Sequence, residues 1–130
     1  MDRLFLNANV LFSAAYRRDS GLLRLWKLPQ CSLLTSSYAT EEARRNLARS
    51  AQRARLGRLL EPVTIVGEAE SPDAADVGLP AKDQPILAAA IRAKATHLLT
   101  GDARHFGPLY GRTVGGVLIT RPAPYLQGLT

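Results

Sequence analysis

The sequence predicts an α/β fold, a single three-layer domain whose central parallel sheet of about five strands carries helices on both faces. Three observations carry this reading. Short apolar runs alternate with segments of helical spacing along the chain. The strand candidates are continuously apolar or β-branched, as strands covered on both faces are. No internal repeat, low-complexity tract or linker interrupts residues 1–130, so one domain is expected over that span.

Arg3 to Leu6 is a short apolar strand, and Ala8 to Tyr16 follows with Val10, Leu11, Ala14 and Ala15 at helical spacing. Ser20 is a good N-cap for a second helix carrying Leu22, Leu23, Leu25 and Trp26, which Pro29 ends. Ser32 to Thr35 is the next strand. Ser37 can cap a long helix from about Tyr38 to Leu60, with Ala43, Leu47, Ala51 and Ala54 as its buried stripe and Gly57 weakening its last turn. Pro62 to Val66 reads as a β-branched strand, and Gly67 to Pro80 as a loop rich in acids, Gly and Pro. Asp83 opens a helix through Lys94, with Pro85 tolerated in its first turn. His97 to Leu99 is a strand, Thr100-Gly101-Asp102 a turn, Ala103 to Tyr110 a short helix, and Gly116 to Thr120 a last strand before Pro122 and Pro124.

Composition narrows the classes. With 46% apolar and 22% charged residues the chain can build an ordinary core. Cys31 stands alone, which excludes a disulfide framework and fits a reducing compartment, so the cytoplasm is the expected address. Neither Pro85 to Ile91 nor Val114 to Thr120 approaches the ~20 residues of a membrane span. Leu4 to Tyr16 is no signal-peptide core, since Asn7 and Asn9 interrupt it and Asp2 spoils a basic leader.

The net charge of +6 lies wholly in the first half, where residues 1–65 hold 11 basic and 5 acidic side chains against 6 of each in residues 66–130. Arg45, Arg49 and Arg53 recur every four residues, so on one long helix they share a face, either solvated or suited to a polyanion. Leu22, Leu23, Leu25, Trp26 and Leu28 leave the second helix apolar on more than one side, which points to a covered face and a homodimer.

Ligands of open α/β sheets bind beyond the carboxyl ends of the strands, where strand order reverses. Asn7 and Asn9 follow the first strand, Glu41 and Glu42 lie early in the long helix, Asp83 opens its helix, and Thr100 and Asp102 follow the strand ending at Leu99. Each has a structural reading, as helix cap, Asx-turn or first-turn acid. Independent caps have no reason to fall on one rim. His97 and His105, eight apart in a buried strand and a loop, lack the spacing of a ligand pair and read as structural.

The runs Leu6-Asn7-Ala8-Asn9-Val10-Leu11-Phe12-Ser13-Ala14, Thr35-Ser36-Ser37 through Glu41-Glu42 to Leu47, Lys82-Asp83-Gln84-Pro85-Ile86-Leu87 and His97-Leu98-Leu99-Thr100-Gly101-Asp102, with Arg104-His105-Phe106 behind it, resemble the PIN domain. The resemblance covers nearly the whole chain in order. It implies a metal-dependent ribonuclease fold, common among VapC-type toxins, in which four acids hold Mg²⁺ or Mn²⁺. Carried over residue by residue, those acids correspond to Asn7, Glu42 (preferred over Glu41), Asp83 and Asp102. Thr100 is expected to orient water or phosphate and Asn9 to shape the first loop. The resemblance also implies single-stranded or structured RNA as substrate, an antitoxin protein as partner and a dimer, and the spacing of Arg45, Arg49 and Arg53 makes them the expected RNA contacts.

Asn7 departs from the pattern. An amide in place of the first acid lowers the site's formal charge from −4 to −3, a gross Coulomb loss on the order of 8 kcal/mol for a divalent ion ~4 Å away at an effective dielectric of 20, before desolvation and screening. Weak or absent catalysis is the expectation, and a non-catalytic module binding RNA or protein is the alternative. A phospho-acceptor receiver domain would need an acidic pair after the first strand, and a dinucleotide enzyme a Gly-rich loop there. The chain has neither.

Overall fold

The computed structural model describes residues 1–128. Strand β1 (Asp2–Leu6) lies inside the sheet with Leu4, Phe5 and Leu6 fully buried. Helix α1 (Ala8–Tyr16) follows, then a 3₁₀ helix (Gly21–Lys27), β2 (Cys31–Ser36), α2 (Ser37–Asn46), α3 (Ser50–Leu60) and β3 (Thr64–Val66). The second half runs α4 (Pro72–Ala75), α5 (Gln84–Arg92), β4 (His97–Leu99), α6 (Ala103–Phe106), a 3₁₀ turn (Gly107–Leu109), β5 (Thr113–Val114), β6 (Val117–Thr120) and α7 (Pro122–Gln127).

The sheet order is β3-β2-β1-β4-β6-β5, parallel except for the β5–β6 hairpin. From β1 the chain steps outward to β2 and β3, then crosses back to β4 on the opposite side of β1. Right-handed crossovers therefore place the helices of the two halves on opposite faces. On one face α1 packs against α2 and α3, and α5 lies against β2 and β4. Strand order reverses between β1 and β4, whose carboxyl ends meet where Asn7 N–H bonds the Leu99 carbonyl at 3.1 Å.

Six strands stand where about five were expected, because Gly115 and Gly116, with φ of +55° and +86°, close a two-residue turn between Val114 and Val117. That turn adds β5 as an edge strand. The stretch between Gly67 and Pro80, expected as loop, contains the single-turn α4 started by Pro72. Pro122 and Pro124 do not end the fold either: Pro122 begins α7, where a missing N–H costs nothing, and Tyr125 and Leu126 are buried. Tyr125 ties the helix back to β1 by donating its hydroxyl to Asp2 Oδ2 at 2.6 Å.

The expected long helix from Tyr38 to Leu60 is broken at Leu47–Arg49, where the backbone is extended. The break lets α3 turn back along α1 and cap its end: Gln52 donates to the Tyr16 carbonyl at 3.2 Å and Arg55 to the Ala15 carbonyl. Gln52 also accepts from Arg49 N–H, and Arg53 Nε donates to the freed Leu47 carbonyl at 2.7 Å. Arg45, Arg49 and Arg53 are thus exposed but share no helical face, and one of them is already engaged.

The second helix is 3₁₀, and its apolar residues are used within the chain. Leu25 is buried, Leu22, Trp26 and Leu28 pack on the core, and Trp26 Nε1 donates to the Leu59 carbonyl at 2.8 Å. Leu22, Leu23, Trp26 and Leu28 stay half-buried, so this helix is covered only in part by its own chain. Among the described residues no helix is long and apolar enough to cross a membrane.

Gln52 serves two partly buried backbone groups at once, so Gln52→Ala is expected to lower stability by about 1 kcal/mol. Urea unfolding checks this: the midpoint falls while the slope with denaturant is unchanged.

Candidate metal centre

Asp83, buried at 9% exposure, is the residue from which the site is built. It precedes α5 at the cap position, yet its side chain makes no capping hydrogen bond, because its backbone is already helical (φ −97°, ψ −14°) rather than extended. The carboxylate is free to point elsewhere. Its Oδ2 is wholly shielded from solvent and has no hydrogen-bond partner.

Asp102 reaches the same place from the turn after β4. Its backbone N–H bonds the Thr100 hydroxyl at 3.1 Å, and its Oδ1 caps α6 by accepting from His105 N–H at 3.2 Å. That cap sets the first turn of α6, and the i,i+3 spacing brings the His105 ring over the carboxylates. His105 Nδ1 lies 3.0 Å from Asp83 Oδ2 and 3.1 Å from Asp102 Oδ2. Neither oxygen lies where the ring N–H direction makes a hydrogen bond, so Nδ1 is a second buried polar atom without a partner. One donor atom each from Asp83, Asp102 and His105 lie within 4.8 Å of one another.

Around this cluster runs a neutral polar network. Thr100, fully buried, receives Asn7 Nδ2 at 2.9 Å, Asn9 Nδ2 at 3.2 Å and the Asp102 N–H on one hydroxyl oxygen. Asn7 Oδ1 is taken by the Ala8 N–H at 2.7 Å, and Asn9 Oδ1 by the Gly101 N–H at 2.8 Å. Asn7 and Asn9 therefore act here as buttresses of the two strand ends.

Residues 3–104 match the PIN domain family. The chain belongs to that family. Three solved structures share its fold. VapBC2 from Rickettsia felis bound to a promoter DNA fragment aligns with a TM-score of 0.67 at 14% identity, covering 92% of this chain and 98% of that one. Mycobacterium tuberculosis VapC20, described as a sarcin-ricin loop cleaving toxin, gives 0.58 at 14% identity over 85% and 98%. FitAB bound to an IR36 DNA fragment gives 0.54 at 17% identity over 92% and 94%. No curated protein sequence matches the chain.

Of the four positions carried over from the PIN pattern, Asp83 and Asp102 are brought together. Glu42 stands outside that group, half-buried in a cleft lined by Ala8, Asn9, Phe12 and Asn46. Asn7 adjoins the site through Thr100, with its oxygen committed to a backbone N–H. His105, read from sequence as structural, is the member that reading missed. The available signal was its position three residues after an aspartate that caps a helix. His97 is unrelated: its ring meets Tyr125 edge-on at 4.9 Å and its Nδ1 faces the Thr96 hydroxyl at 2.8 Å.

The donor set fits a divalent cation. An ion holding ligands at about 2.1 Å sets adjacent donors about 3.0 Å apart, which is the spacing of His105 Nδ1 from each carboxylate oxygen. Two buried polar atoms without partners are what a cation would satisfy.

Burial raises the Asp83 pKa; His105 and Lys82 lower it, while Asp102 adds to the rise. The folded protein therefore keeps this proton to a higher pH than the unfolded chain does. The resulting penalty is absent below the ordinary carboxylate range and complete above the raised value, so metal-free stability falls as pH climbs through that window. Asp83→Asn is expected to raise the melting temperature of the metal-free protein at neutral pH by about 3 °C and to flatten this pH dependence. Thermal unfolding in chelator across pH 4 to 8 checks both.

Proposed function

We propose that this PIN domain is an endoribonuclease dependent on a divalent cation, with Asp83 and Asp102 as its principal metal-holding acids and Asn7 as the reason its activity is low. The observation that carries the reading is the buried Asp83 oxygen, without an aligned hydrogen bond and grouped with Asp102 and His105, at the point where strand order reverses. When bound, Mg²⁺ or Mn²⁺ would supply charge stabilisation for phosphodiester hydrolysis and lower the pKa of bound water. The chain's own contribution is positioning. Asp83 and Asp102 hold the cation against the strand ends, Glu42 lines the adjoining cleft through which an RNA strand would approach, and Thr100 and Asn9 fix the turn that carries Asp102.

The names of the structural neighbours support a toxin role. VapC20 is a cleaving toxin, and VapBC2 and FitAB are two-protein assemblies on DNA, so an antitoxin partner is part of this proposal. RNA as substrate, Arg45 and Arg49 as phosphate contacts, a homodimer and a cytoplasmic address complete it. Arg53 is the weakest contact of its trio because Leu47 already holds its guanidinium.

A second reading, a module of the same fold that binds RNA or protein without cutting, draws support from Asn7. Its amide carries no charge, and its nitrogen and oxygen each already make a hydrogen bond at the strand ends. The two readings part on the near-isosteric Asn7→Asp. A carboxylate would still accept from Ala8 N–H, and the Thr100 hydroxyl would reverse to donate to it. Cleavage of a labelled single-stranded RNA in Mn²⁺ is expected to be slow for the unaltered chain, at least tenfold faster in Asn7→Asp, and lost in Asp83→Asn and Asp102→Asn, each tenfold being about 1.4 kcal/mol at the transition state. Asn7→Asp without metal is expected to unfold about 1–3 kcal/mol more easily, since it buries another carboxylate. Equal, metal-independent cleavage in all four proteins would establish the non-catalytic reading and trace the activity to contamination.

A further inference from the structure

We propose that His105 is itself a ligand of the cation, completing with Asp83 and Asp102 a set of two carboxylates and one imidazole that favours a transition-metal dication of the Mn²⁺ type over Mg²⁺. The inference rests on the metal-dependent reading above and deepens it.

Three observations carry it. The His105 Nδ1 atom is buried and makes no hydrogen bond although two carboxylate oxygens lie 3.0 and 3.1 Å away. Had the ring evolved only to pair with Asp83, its N–H would point along that contact. These separations are also those between neighbouring ligands on one ion that holds its donors at about 2.1 Å. Next, the ring is placed by the very residue it would join: Asp102 Oδ1 holds His105 N–H, so one aspartate offers one oxygen to the helix start and the other to the cluster. Last, the chain is short of oxygen donors. Asn7 Oδ1 is neutral and already accepts from Ala8 N–H, and Glu42 lies outside the group, leaving two carboxylates as the charged donors where a hard cation prefers oxygen throughout. Imidazole nitrogen suits Fe²⁺, Ni²⁺ and Zn²⁺ best, and a first-row dication such as Mn²⁺ takes it more readily than Mg²⁺, which dehydrates reluctantly. Replacing acids by a histidine also lowers the negative charge of the site, which softens the repulsion between Asp83 and Asp102 in the metal-free state.

The test is pulsed electron paramagnetic resonance and titration calorimetry with Mn²⁺, and calorimetry with Mg²⁺, on the full chain freed of metal by chelator. Four proteins are compared: unaltered, His105→Gln, His97→Gln and Asp83→Asn. Modulation from a directly bound nitrogen is expected in the unaltered protein and in His97→Gln, and is expected to vanish in His105→Gln. Mn²⁺ affinity should fall about tenfold or more in His105→Gln while Mg²⁺ affinity changes less than about threefold. Circular dichroism establishes that His105→Gln is folded, and should it not be, His105→Asn takes its place. Mn²⁺ bound through Asp83 but without nitrogen modulation, and with equal affinity in His105→Gln, would overturn the histidine ligand and leave the metal-dependent reading standing. No Mn²⁺ binding by the unaltered protein, with Asp83→Asn behaving the same, would overturn both.

Discussion

One buried hydroxyl holds the chemistry of this protein in place. Thr100 stands at the end of β4, beside β1, where strand order reverses, and its oxygen receives hydrogen bonds from Asn7, Asn9 and the Asp102 backbone. Parallel strands that end inside a fold leave polar backbone groups with nowhere to go, and an unmet buried group costs about 1–3 kcal/mol. Thr100 answers that requirement for the Asp102 N–H, while Asn7 and Asn9, which donate to Thr100, answer it for the Ala8 and Gly101 N–H groups. It joins the loop after β1 to the loop after β4, and so fixes the distance between Asn7, which belongs to the first, and Asp102, which belongs to the second. Apolar packing sets the floor beneath them: Leu6 and Leu99, the last residues of the paired strands, are both fully buried. The site is rigid because the sheet beneath it is.

The alternation of strands and helices was legible because it follows from burial alone. Runs such as Leu4-Phe5-Leu6 and Leu98-Leu99 are apolar whichever way they face, which only a covered parallel strand tolerates. What local patterning could not show was tertiary. Nothing in the spacing from Tyr38 to Leu60 reveals that the chain breaks at Leu47, since the break is driven by Gln52 and Arg55 reaching the carbonyls that end α1. Helical propensity lost there to hydrogen bonds between elements far apart in sequence. The arginine face went with the helix. The β5–β6 hairpin is different, for Val114-Gly115-Gly116-Val117 has a readable two-residue turn signal, and the strand was simply too short to stand out.

The candidate site was half legible for a related reason. Asp83 and Asp102 follow from topology, because each begins the segment that leaves the carboxyl rim. Glu42 does not, since its position depends on how far along α2 the helix has risen from that rim, and the structure leaves it in a neighbouring cleft. His105 escaped because a histidine in a short helix is unremarkable in sequence. Only the cap made by Asp102 turns its ring inward, and a cap of that kind is a matter of side-chain geometry rather than residue type.

Burial explains why the cluster favours binding over stability. Asp83 loses solvation and is repelled by its neighbour Asp102, and His105, 3.0 Å away, offsets only part of that cost. A sequence selected for stability alone would place an amide or an apolar residue there, as it has effectively done at position 7. Asn7 shows the cheap solution: an amide donates to Thr100, accepts from Ala8 and carries no charge. Had the whole rim been released from a cation-binding role, Asp83 would be the residue with most to gain from the same exchange, because it is as shielded as Asn7 and far less well satisfied. A buried acid beside a second acid is an arrangement that positive charge relieves, whether on the His105 imidazole 3.0 and 3.1 Å away or on a bound cation.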